Sequence, residues 1–329
     1  MTFRILSFCG GGMRGLMSAM ILSRLNDRFE TKYGKSLAHQ ADMIAGTSTG
    51  ALITGLLATG LTPDLIIDFY LKVTRRAFEN ADKSENAPAL PQATFTALLD
   101  KYHLDPPLSF FKKHKLLLTT FDLGAHDVPW SPQLFHNFPG SPSAQVGLLD
   151  AMIASGSMPA MAAPYPYTLN GRQMHLVDGA FVHHDPTVPA IALAAANGTS
   201  VSDISAIDFG TGFMRNFITA DVEGWGANQW VNGTGGSDGT LPQLLVNMPA
   251  TPAQMPILNL CLNGTSTNLM PDLAGMLLDD RFAYLNPDFG AVYIPEDAVS
   301  DEQLAFLKLM ADTCDLEPAM AVLGQCWAD

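Results

Sequence analysis

The chain has 329 residues, of which 47% are hydrophobic and 15% are charged, and its formal net charge at pH 7 is −14. This composition excludes an intrinsically disordered chain and predicts a globular protein with a sizeable core. A surface this acidic repels nucleic-acid phosphates and anionic lipid headgroups, so we expect no nucleic-acid partner.

Three further features bear on where the protein acts and on whether it holds a metal. No apolar run approaches the ~18–20 residues that a membrane span requires, so no transmembrane segment is predicted. The first residues contain neither a long apolar stretch nor a small-residue cleavage site, which predicts a cytoplasmic protein and leaves signal-independent export open. The cysteines lack C-x-x-C spacing and predict free thiols without a metal: Cys9, Cys261, Cys314 and Cys326.

A glycine-rich loop follows the first predicted strand. Residues 4–8 are predicted as a buried strand, and residues 16–29 carry apolar side chains at helical spacing, so the loop lies at a helix N-terminus. Its sequence is Gly10-Gly11-Gly12-Met13-Arg14-Gly15. Backbone N–H groups at the positive end of a helix dipole form an anion-binding site, and Arg14 adds a positive charge beside it.

This loop has three interpretations. The spacing Gly10-x-Gly12-x-x-Gly15 matches the fingerprint of a dinucleotide-binding oxidoreductase. That fingerprint also requires an acidic residue about 20 positions further on, at the end of a strand, whereas Asp42 begins a predicted strand. The other interpretations are an oxyanion hole built from the same N–H groups and a tight turn that binds nothing.

A candidate nucleophile follows the second predicted strand. Gly46-x-Ser48-x-Gly50 comes after a short apolar run and before a helix predicted over residues 49–59, which is the strand–turn–helix setting of a nucleophile elbow. The two glycines allow neighbouring backbone to approach closely. We expect the Ser48 hydroxyl to be exposed, with its N–H facing a developing oxyanion. Such an elbow needs a base and an oxyanion hole from elsewhere in the chain.

The following residues alternate between predicted helices and strands, which predicts an α/β fold with a largely parallel sheet. Helices are predicted at 63–80 (with Thr62 as N-cap), 95–102, 147–155 and 186–196, and an exposed loop at 81–91. Strands or near-strand segments are predicted at 108–111, 115–121, 173–177 and 204–209, and a loop with a short strand at 130–138.

The composition changes from about residue 213 onwards, where a glycine-rich loop appears. Helices are predicted there at 222–230, 241–248, 301–310 and 317–323. We therefore predict a catalytic core at residues 1–215 and a mainly helical extension, residues 216–329, packed on that core.

The chain offers two kinds of base for Ser48. No histidine follows His184, although an α/β-hydrolase supplies its catalytic histidine late in the chain. Asp178 ends the strand predicted at 173–177, and a carboxylate at the C-terminal end of a parallel strand lies where α/β enzymes assemble their sites. A carboxylate is a weak base unless burial raises its pKa. The other interpretation of Asp178-Gly179 is an aspartate that caps a turn.

Taken in order, these motifs resemble the patatin-like phospholipase family. The resemblance covers roughly the first two thirds of the chain and consists of the glycine-rich loop, the Ser48 elbow, Asp178-Gly179-Ala180 and the segments 119–122, 154–159 and 209–212. Two positions depart from the family pattern. Cys9 stands where the family usually has aspartate, and His183-His184 stand where it often has Asn-Asn.

The resemblance implies a three-layer α/β/α fold and a serine lipid acyl hydrolase of the phospholipase A or lysophospholipase type. It implies that Ser48 is the nucleophile and Asp178 the base, and that Gly11 and Gly12 N–H groups, assisted by Arg14, form the oxyanion hole. The supporting motif positions are Gly10, Gly15, Gly46, Gly50 and Gly179. It implies no metal, no cofactor and a lipid or ester substrate that can lie at a membrane surface, and it leaves the oligomeric state open.

Two other functions stay open at this point, a dinucleotide-binding oxidoreductase and a binding or storage protein without catalytic activity. The residues that depart from the family pattern are also open to two interpretations each. His183 and His184 either donate hydrogen bonds to substrate oxygens or support the helix that follows them. Cys9 is either a buried thiol or, less favoured, a second nucleophile.

Overall fold

The computed structural model places a mixed sheet at the centre of the molecule, with helices on both faces. It describes residues 2–81, 88–89, 104, 106–125, 128–159, 161–215, 222–232, 256–261, 269–290 and 292–328. The strands are β1 Phe3–Phe8, β2 Met43–Thr47, β3 Lys115–Asp122, β4 Ser131–His136, β5 Tyr165–Leu169, β6 Arg172–Asp178, β7 Ile204–Phe209 and β8 Phe282–Leu285. The helices are α1 Gly15–Tyr33, α2 Leu37–Gln40, α3 Thr49–Ala58, α4 Pro63–Phe69, α5 Arg75–Glu79, α6 Leu148–Ser155, α7 Ala180–His183, α8 Thr187–Ala196, α9 Ala227–Asn232, α10 Pro256–Asn259, α11 Met270–Leu278, α12 Asp301–Thr313 and α13 Glu317–Cys326.

The sheet is mostly parallel, which confirms the predicted fold class. Strands pair in the order β5, β6, β3, β2, β1, β7, β8, and β4 also pairs with β3. The run from β3 to β8 is parallel throughout, whereas β4 and β6 pair with β3 in the antiparallel sense. Parallel strands end at the same edge of a sheet, so the loops that follow β1, β2 and β7 meet there.

The two faces of the sheet pack against different helices, which gives the three layers that the family resemblance implied. Side chains of a strand alternate between the two faces, and in β1 Leu6 and Phe8 join the larger core while Ile5 joins the smaller one. The larger core includes residues of α1, α3, α6, α12 and α13. The smaller core includes residues of α8 and α11.

Most of the predicted helices are confirmed, and one of them contains an unexpected turn. Thr62 caps α4 as predicted, because its side chain accepts the Leu65 N–H. A π-helical turn, Tyr70–Thr74, joins α4 to α5, and the helical spacing gave no sign of it. The helices predicted at 95–102 and 241–248, and most of the loop predicted at 81–91, lie outside the described residues. No helix in the described part of the chain is both long and apolar enough to cross a membrane.

The strand predicted at 108–111 is wrong. Leu108–Phe110 forms a short 3-10 turn that follows Pro107. The Phe110 N–H donates to the Pro107 carbonyl and the Phe111 N–H to the Leu108 carbonyl. These local bonds use the backbone groups that a strand would need for pairing.

The last third of the chain completes the sheet as well as covering it. Helices predicted at 301–310 and 317–323 are confirmed as α12 and α13. Strand β8 was not predicted, yet it pairs with β7 in parallel register, with Tyr284 opposite Asp208. The division of the chain at residue 215 stays a prediction.

The end of the chain is anchored by the Trp327 side chain. It is fully buried in the larger core, and its indole N–H donates to Ser205 Oγ on β7 at 2.8 Å. A buried indole combines a large apolar contact area with one donor that needs a partner. Both requirements are met here, so the C-terminal segment is held against the sheet.

We expect Trp327→Ala to lower the free energy of unfolding by about 3–5 kcal/mol, because it leaves a cavity in the core. The measurement is chemical denaturation of the wild type and the variant. Trp130→Ala is the matched control, since Trp130 is 70% exposed and makes one aromatic contact, with Phe121, worth at most about 1.5 kcal/mol. Equal losses in the two variants would contradict the anchoring role.

Candidate active site

Ser48 lies at the sharp turn between β2 and α3. Its backbone has φ 55° and ψ −120°, a conformation that L-residues rarely adopt and that persists only where the surroundings enforce it. The surroundings here are closely packed backbone. A side chain at Gly46 would overlap the Gly50 carbonyl, and a side chain at Gly50 would overlap the Phe8 carbonyl of β1. The two glycines of the motif are therefore required by contact with backbone, as the sequence predicted.

The backbone N–H of Ser48 makes a hydrogen bond within the protein. It donates to Ser155 Oγ at 2.8 Å, so the expectation that it faces a developing oxyanion is wrong. Ser155 is fully buried and is the last residue of α6. This hydrogen bond satisfies the elbow N–H and fixes the turn from its outer side.

Asp178 lies beside the elbow because of a strand pairing that the sequence did not predict. Its strand, β6, pairs with β3 in the antiparallel sense, so the assumption of a parallel strand is wrong. Because β4 pairs with residues 117–122 along one side of β3, β2 and β6 share the other side. There Thr47 is opposite Thr119 and Asp178 is opposite Thr120. The carboxyl ends of β2 and β6 thus meet head to head, and Ser48 and Asp178 are brought together.

The Asp178 carboxyl is 1% exposed, and its hydrogen bonding is incomplete. Oδ1 accepts the Ala180 N–H at 2.8 Å, which also explains why the acid is followed by a tight turn at Gly179. Oδ2 has no well-formed hydrogen bond, although the Ser48 side chain is close enough to lower the pKa of Asp178. Such contacts between a nucleophile and a base are often long without substrate and shorten when it binds.

Burial controls the protonation of Asp178. It raises the pKa to about 7 from an ordinary value of 3.8, while the nearby Ser48 side chain and the hydrogen bond from the Ala180 N–H oppose the rise and the negative charge of Glu296 adds to it. A carboxylate with a pKa near neutral pH is a much better proton acceptor than an exposed one. The turn-capping interpretation explains the hydrogen bond to Ala180 but not this desolvation.

The glycine-rich loop lies directly beside the elbow. A Cβ at Gly10 would lie 3.4 Å from the Ser48 Cβ. Gly11 has φ 142° and Gly12 has φ 59°, values that favour glycine. The Gly10 N–H donates to the His184 carbonyl and the Met13 N–H donates to the Glu296 carbonyl. Within the described residues we find no acceptor for the N–H groups of Gly11 and Gly12.

Two side chains fix the direction in which those N–H groups point. The Thr211 hydroxyl donates to the Gly10 carbonyl at 2.5 Å, and Arg14 Nε donates to the Gly11 carbonyl at 3.2 Å. In a trans peptide the C=O and the next N–H point in opposite directions, so each carbonyl contact orients the N–H of the residue that follows. Thr211 thereby orients Gly11 N–H, and Arg14 orients Gly12 N–H.

Arg14 is buried and its charge is paired. Its guanidinium contacts Glu296 Oε1 at 3.4 Å as well as the Gly11 carbonyl, so in this structure it acts on the loop. Glu296 also lies against Gly12, where a side chain on the glycine would overlap it. A dinucleotide pyrophosphate would need to approach the Gly12 backbone closely, but the acidic residue Glu296 occupies that position. The geometry therefore disfavours the oxidoreductase interpretation.

A mainly apolar cavity opens beside Ser48. Its lining is formed by Gly12, Ser48, Thr49, Leu52, Thr74, Phe78, Ile153, Gly156, Ser157 and Ala162. The elbow serine and one glycine of the loop thus face the same cavity, which has room on its other sides for an apolar chain.

The two histidines after Asp178 are half-buried, and His184 lies against the loop. Burial lowers the pKa of His183, and burial together with the charge of Arg14 lowers the pKa of His184 to about 3. Both are therefore neutral at physiological pH. The His184 ring lies against Gly10, and its carbonyl holds the Gly10 N–H, which is a supporting role for the loop.

One buried cluster near the site combines groups that could hold a metal. Among the described residues, Cys9, Asp185 and Asp208 each place a ligand atom within 4.8 Å of the others. Burial, and for Asp208 the adjacent charge of Asp185, raise the pKa of both carboxyl groups. Such a pair favours a proton shared between the carboxyl groups. Burial and the same two acids raise the pKa of the Cys9 thiol well above its ordinary value, so Cys9 is not an activated nucleophile.

The sequence did not predict three residues that support the loop and the elbow. Ser155 and Thr211 lie in segments that resemble the family, but nothing in their local sequence indicates which backbone group each one contacts. Glu296 lies 282 positions from Arg14, in a part of the chain without any motif. Only the three-dimensional structure brings these side chains to the loop and the elbow.

Comparison with known proteins gives consistent matches. A family model described as patatin-like phospholipase matches residues 6–191. The chain is 27% identical over 346 residues to Protein teg of Priestia megaterium, with 99% of each chain covered. It is 26% identical over 341 residues to a putative sporulation hydrolase, CotR, of Bacillus subtilis, covering 99% of this chain and 98% of that one. It is 28% identical over 223 residues to a cUMP-AMP-activated phospholipase of Escherichia coli, covering 64% of each.

The raised pKa of Asp178 predicts an unusual dependence of stability on pH. Because the folded protein binds this proton more tightly than the unfolded chain, the free energy of unfolding falls as the pH rises from about 4 to about 7. Asp178→Asn removes the ionisation and keeps the acceptor for Ala180. We expect the variant to be more stable than the wild type at pH 8, by up to about 4 kcal/mol, and the difference to shrink towards pH 4.

Denaturant unfolding at several pH values measures this effect. Asp27→Asn is the control, since Asp27 is exposed on α1 and its replacement should give no difference that grows with pH. A stability difference between Asp178→Asn and the wild type that stays constant from pH 4 to pH 8 would contradict the raised pKa.

Proposed function

Because the chain belongs to the patatin-like phospholipase family, a family of lipid ester hydrolases, we propose that it cleaves its substrate with Ser48 as nucleophile and Asp178 as base. The observation that carries the proposal is the head-to-head meeting of β2 and β6 along β3. It puts a strained serine beside a buried carboxyl whose pKa is raised to about 7. The family also supports the class of hydrolase that the sequence predicted.

The proposed reaction has two halves. Ser48 Oγ attacks the ester carbonyl carbon while Asp178 takes its proton, and the tetrahedral intermediate collapses as Asp178 returns that proton to the departing alcohol. The acyl group is then attached to Ser48. Water attacks this ester with Asp178 again as base, and the carboxylic acid leaves as the proton returns to Ser48. Each half moves one proton to Asp178 and back.

The N–H groups of Gly11 and Gly12 are the proposed oxyanion hole. Donors directed at the position of the developing negative charge are commonly worth ~10²–10³ in kcat each. Support comes from their lack of acceptors among the described residues and from the two contacts that aim them, Thr211 to the Gly10 carbonyl and Arg14 to the Gly11 carbonyl.

The net charge of the protein and the lining of the cavity indicate the class of substrate. With a net charge of −14, the protein is repelled by anionic bilayers, which favours zwitterionic lipids or neutral esters. The apolar lining beside Ser48 suits an acyl chain. We propose a phospholipase A, lysophospholipase or esterase activity on such substrates, at a membrane surface or in solution.

A fluorophosphonate probe tests the nucleophile without requiring the natural substrate. We expect the wild type to be labelled on Ser48 and Ser48→Ala not to be labelled, with mass spectrometry of the peptide as the measurement. Asp178→Asn should lose labelling and ester hydrolysis by at least about 100-fold, since proton transfer typically contributes that much. The wild-type rate should rise with pH around a midpoint near 7, where Asp178 ionises.

Three outcomes would reject this assignment. An unlabelled, folded wild-type protein that hydrolyses no ester indicates a binding or storage protein. Labelling of a serine other than Ser48, or unchanged turnover in Asp178→Asn, would reject the pair of residues while leaving the family membership intact.

The role of Thr211 in aiming the loop gives a separate prediction. Thr211→Val keeps the shape of the side chain and removes the hydroxyl that holds the Gly10 carbonyl. We expect kcat to fall by about 10- to 100-fold through misplacement of the Gly11 N–H, with little change in KM. Thr211→Ser retains the donor and should retain most of the activity. Equal kcat values for the Val and Ser variants would contradict the positioning role.

A further inference from the structure

The π-helical turn between α4 and α5 presents a polar side chain to the cavity beside Ser48. The turn covers Tyr70–Thr74, and Thr74, its last residue, lines the cavity. A π-helical turn inside an α-helix is uncommon and occurs frequently at functional sites. It changes which side chains face the cavity by inserting an extra residue into the helical turn.

The Thr74 hydroxyl is buried without a hydrogen-bond partner. Thr74 is 3% exposed, and no described residue bonds to its Oγ1. A threonine within a helix usually bonds to the carbonyl four positions earlier. Here that carbonyl belongs to Tyr70 and accepts the N–H of Arg75, five positions later. The Thr74 hydroxyl, at the end of the π-helical turn, makes no such bond to the helix backbone.

The other lining hydroxyls are already occupied, apart from the proposed nucleophile. Thr49 Oγ1 shares a hydrogen bond with the Tyr70 hydroxyl, and Ser157 Oγ donates to the Ile153 carbonyl at 2.8 Å. The lining of the same cavity also contains apolar side chains, among them Leu52 and Phe78. A lone unpaired donor in apolar surroundings is unfavourable unless a ligand supplies an acceptor.

We propose that this cavity binds an acyl chain bearing an oxygen atom, as a keto or hydroxyl substituent, and that Thr74 donates a hydrogen bond to that oxygen. The inference rests on the proposed function, since the acyl group is the one carried by Ser48. The apolar walls hold the hydrocarbon part of the chain, and Thr74 selects for the substituent. A site built around one buried donor discriminates against chains that lack the acceptor, because that donor is then left unpaired.

Matched ester pairs measure this selectivity. The substrates are p-nitrophenyl octanoate and a set of isomeric p-nitrophenyl oxooctanoates that carry the oxo group at one of positions 4 to 7 of the chain. The quantity is the ratio of kcat/KM for each oxo ester to kcat/KM for octanoate. We expect at least one isomer to be preferred by the wild type, Thr74→Val to reduce that ratio by about tenfold, and Thr74→Ser to retain it.

Thr54→Val is the control variant. Thr54, on α3, is also buried and has an unpaired hydroxyl, but it does not belong to the cavity lining, so its replacement should leave the ratio unchanged. Thermal unfolding of each variant verifies that it is folded.

The results separate this inference from the proposed function. A wild-type protein that hydrolyses octanoate but prefers no oxo isomer, or a Thr74→Val variant with the wild-type ratio, overturns the role of Thr74 while leaving the Ser48–Asp178 assignment in place. A similar loss of the ratio in Thr54→Val also overturns it. A wild type that hydrolyses no ester and reacts with no fluorophosphonate rejects both.

Discussion

The Asp178 carboxyl is held inside the protein with no cation next to it in the described structure, and the proposed chemistry depends on this. A positive charge beside it would stabilise the ionised form and lower its pKa, which would make it a poorer base. The charge that does act on it is that of Glu296, which is negative and raises the pKa. The proposed function therefore requires a buried carboxyl beside a negative charge, an arrangement that selection for stability alone would not favour.

The strained turn at Ser48 depends on the same assembly. The elbow has close backbone contacts with β1 through Gly50 and a hydrogen bond from its N–H to Ser155. The glycine-rich loop is held by Thr211 after β7 and by Glu296 near the end of the chain. Each reactive group is thus fixed by a different element. The rigidity of the site therefore depends on the packing at this edge of the sheet.

The local parts of the site could be predicted from the sequence, because each is encoded by neighbouring residues. The elbow at Ser48, the loop at Gly10 and the acid at Asp178 all belong to short motifs, and the order of these motifs identified the family. What could not be predicted depends on contacts between distant segments. The direction of β6 follows from its pairing with β3, and the strand β8 is only four residues long.

The roles of the side chains that support the site were still harder to predict from the sequence. Thr211, Ser155 and Glu296 are ordinary polar residues whose roles depend on which backbone group they meet. The hydroxyl of Thr74 lines the cavity from a π-helical turn at Tyr70–Thr74, and the apolar spacing of that helix gives no sign of an extra residue. Sequence patterns describe periodicity within an element, whereas these contacts arise from packing between elements.

The contact between the glycine-rich loop and Glu296 has a consequence for biosynthesis. The loop follows the first strand of the chain, yet the carbonyl that holds the Met13 N–H and the carboxylate that pairs with Arg14 both belong to residue 296 of 329. Chains are made from the N-terminus, and early segments fold first. The ribosome must therefore synthesise residue 296 before this loop can be completed, and a shorter nascent chain lacks both contacts.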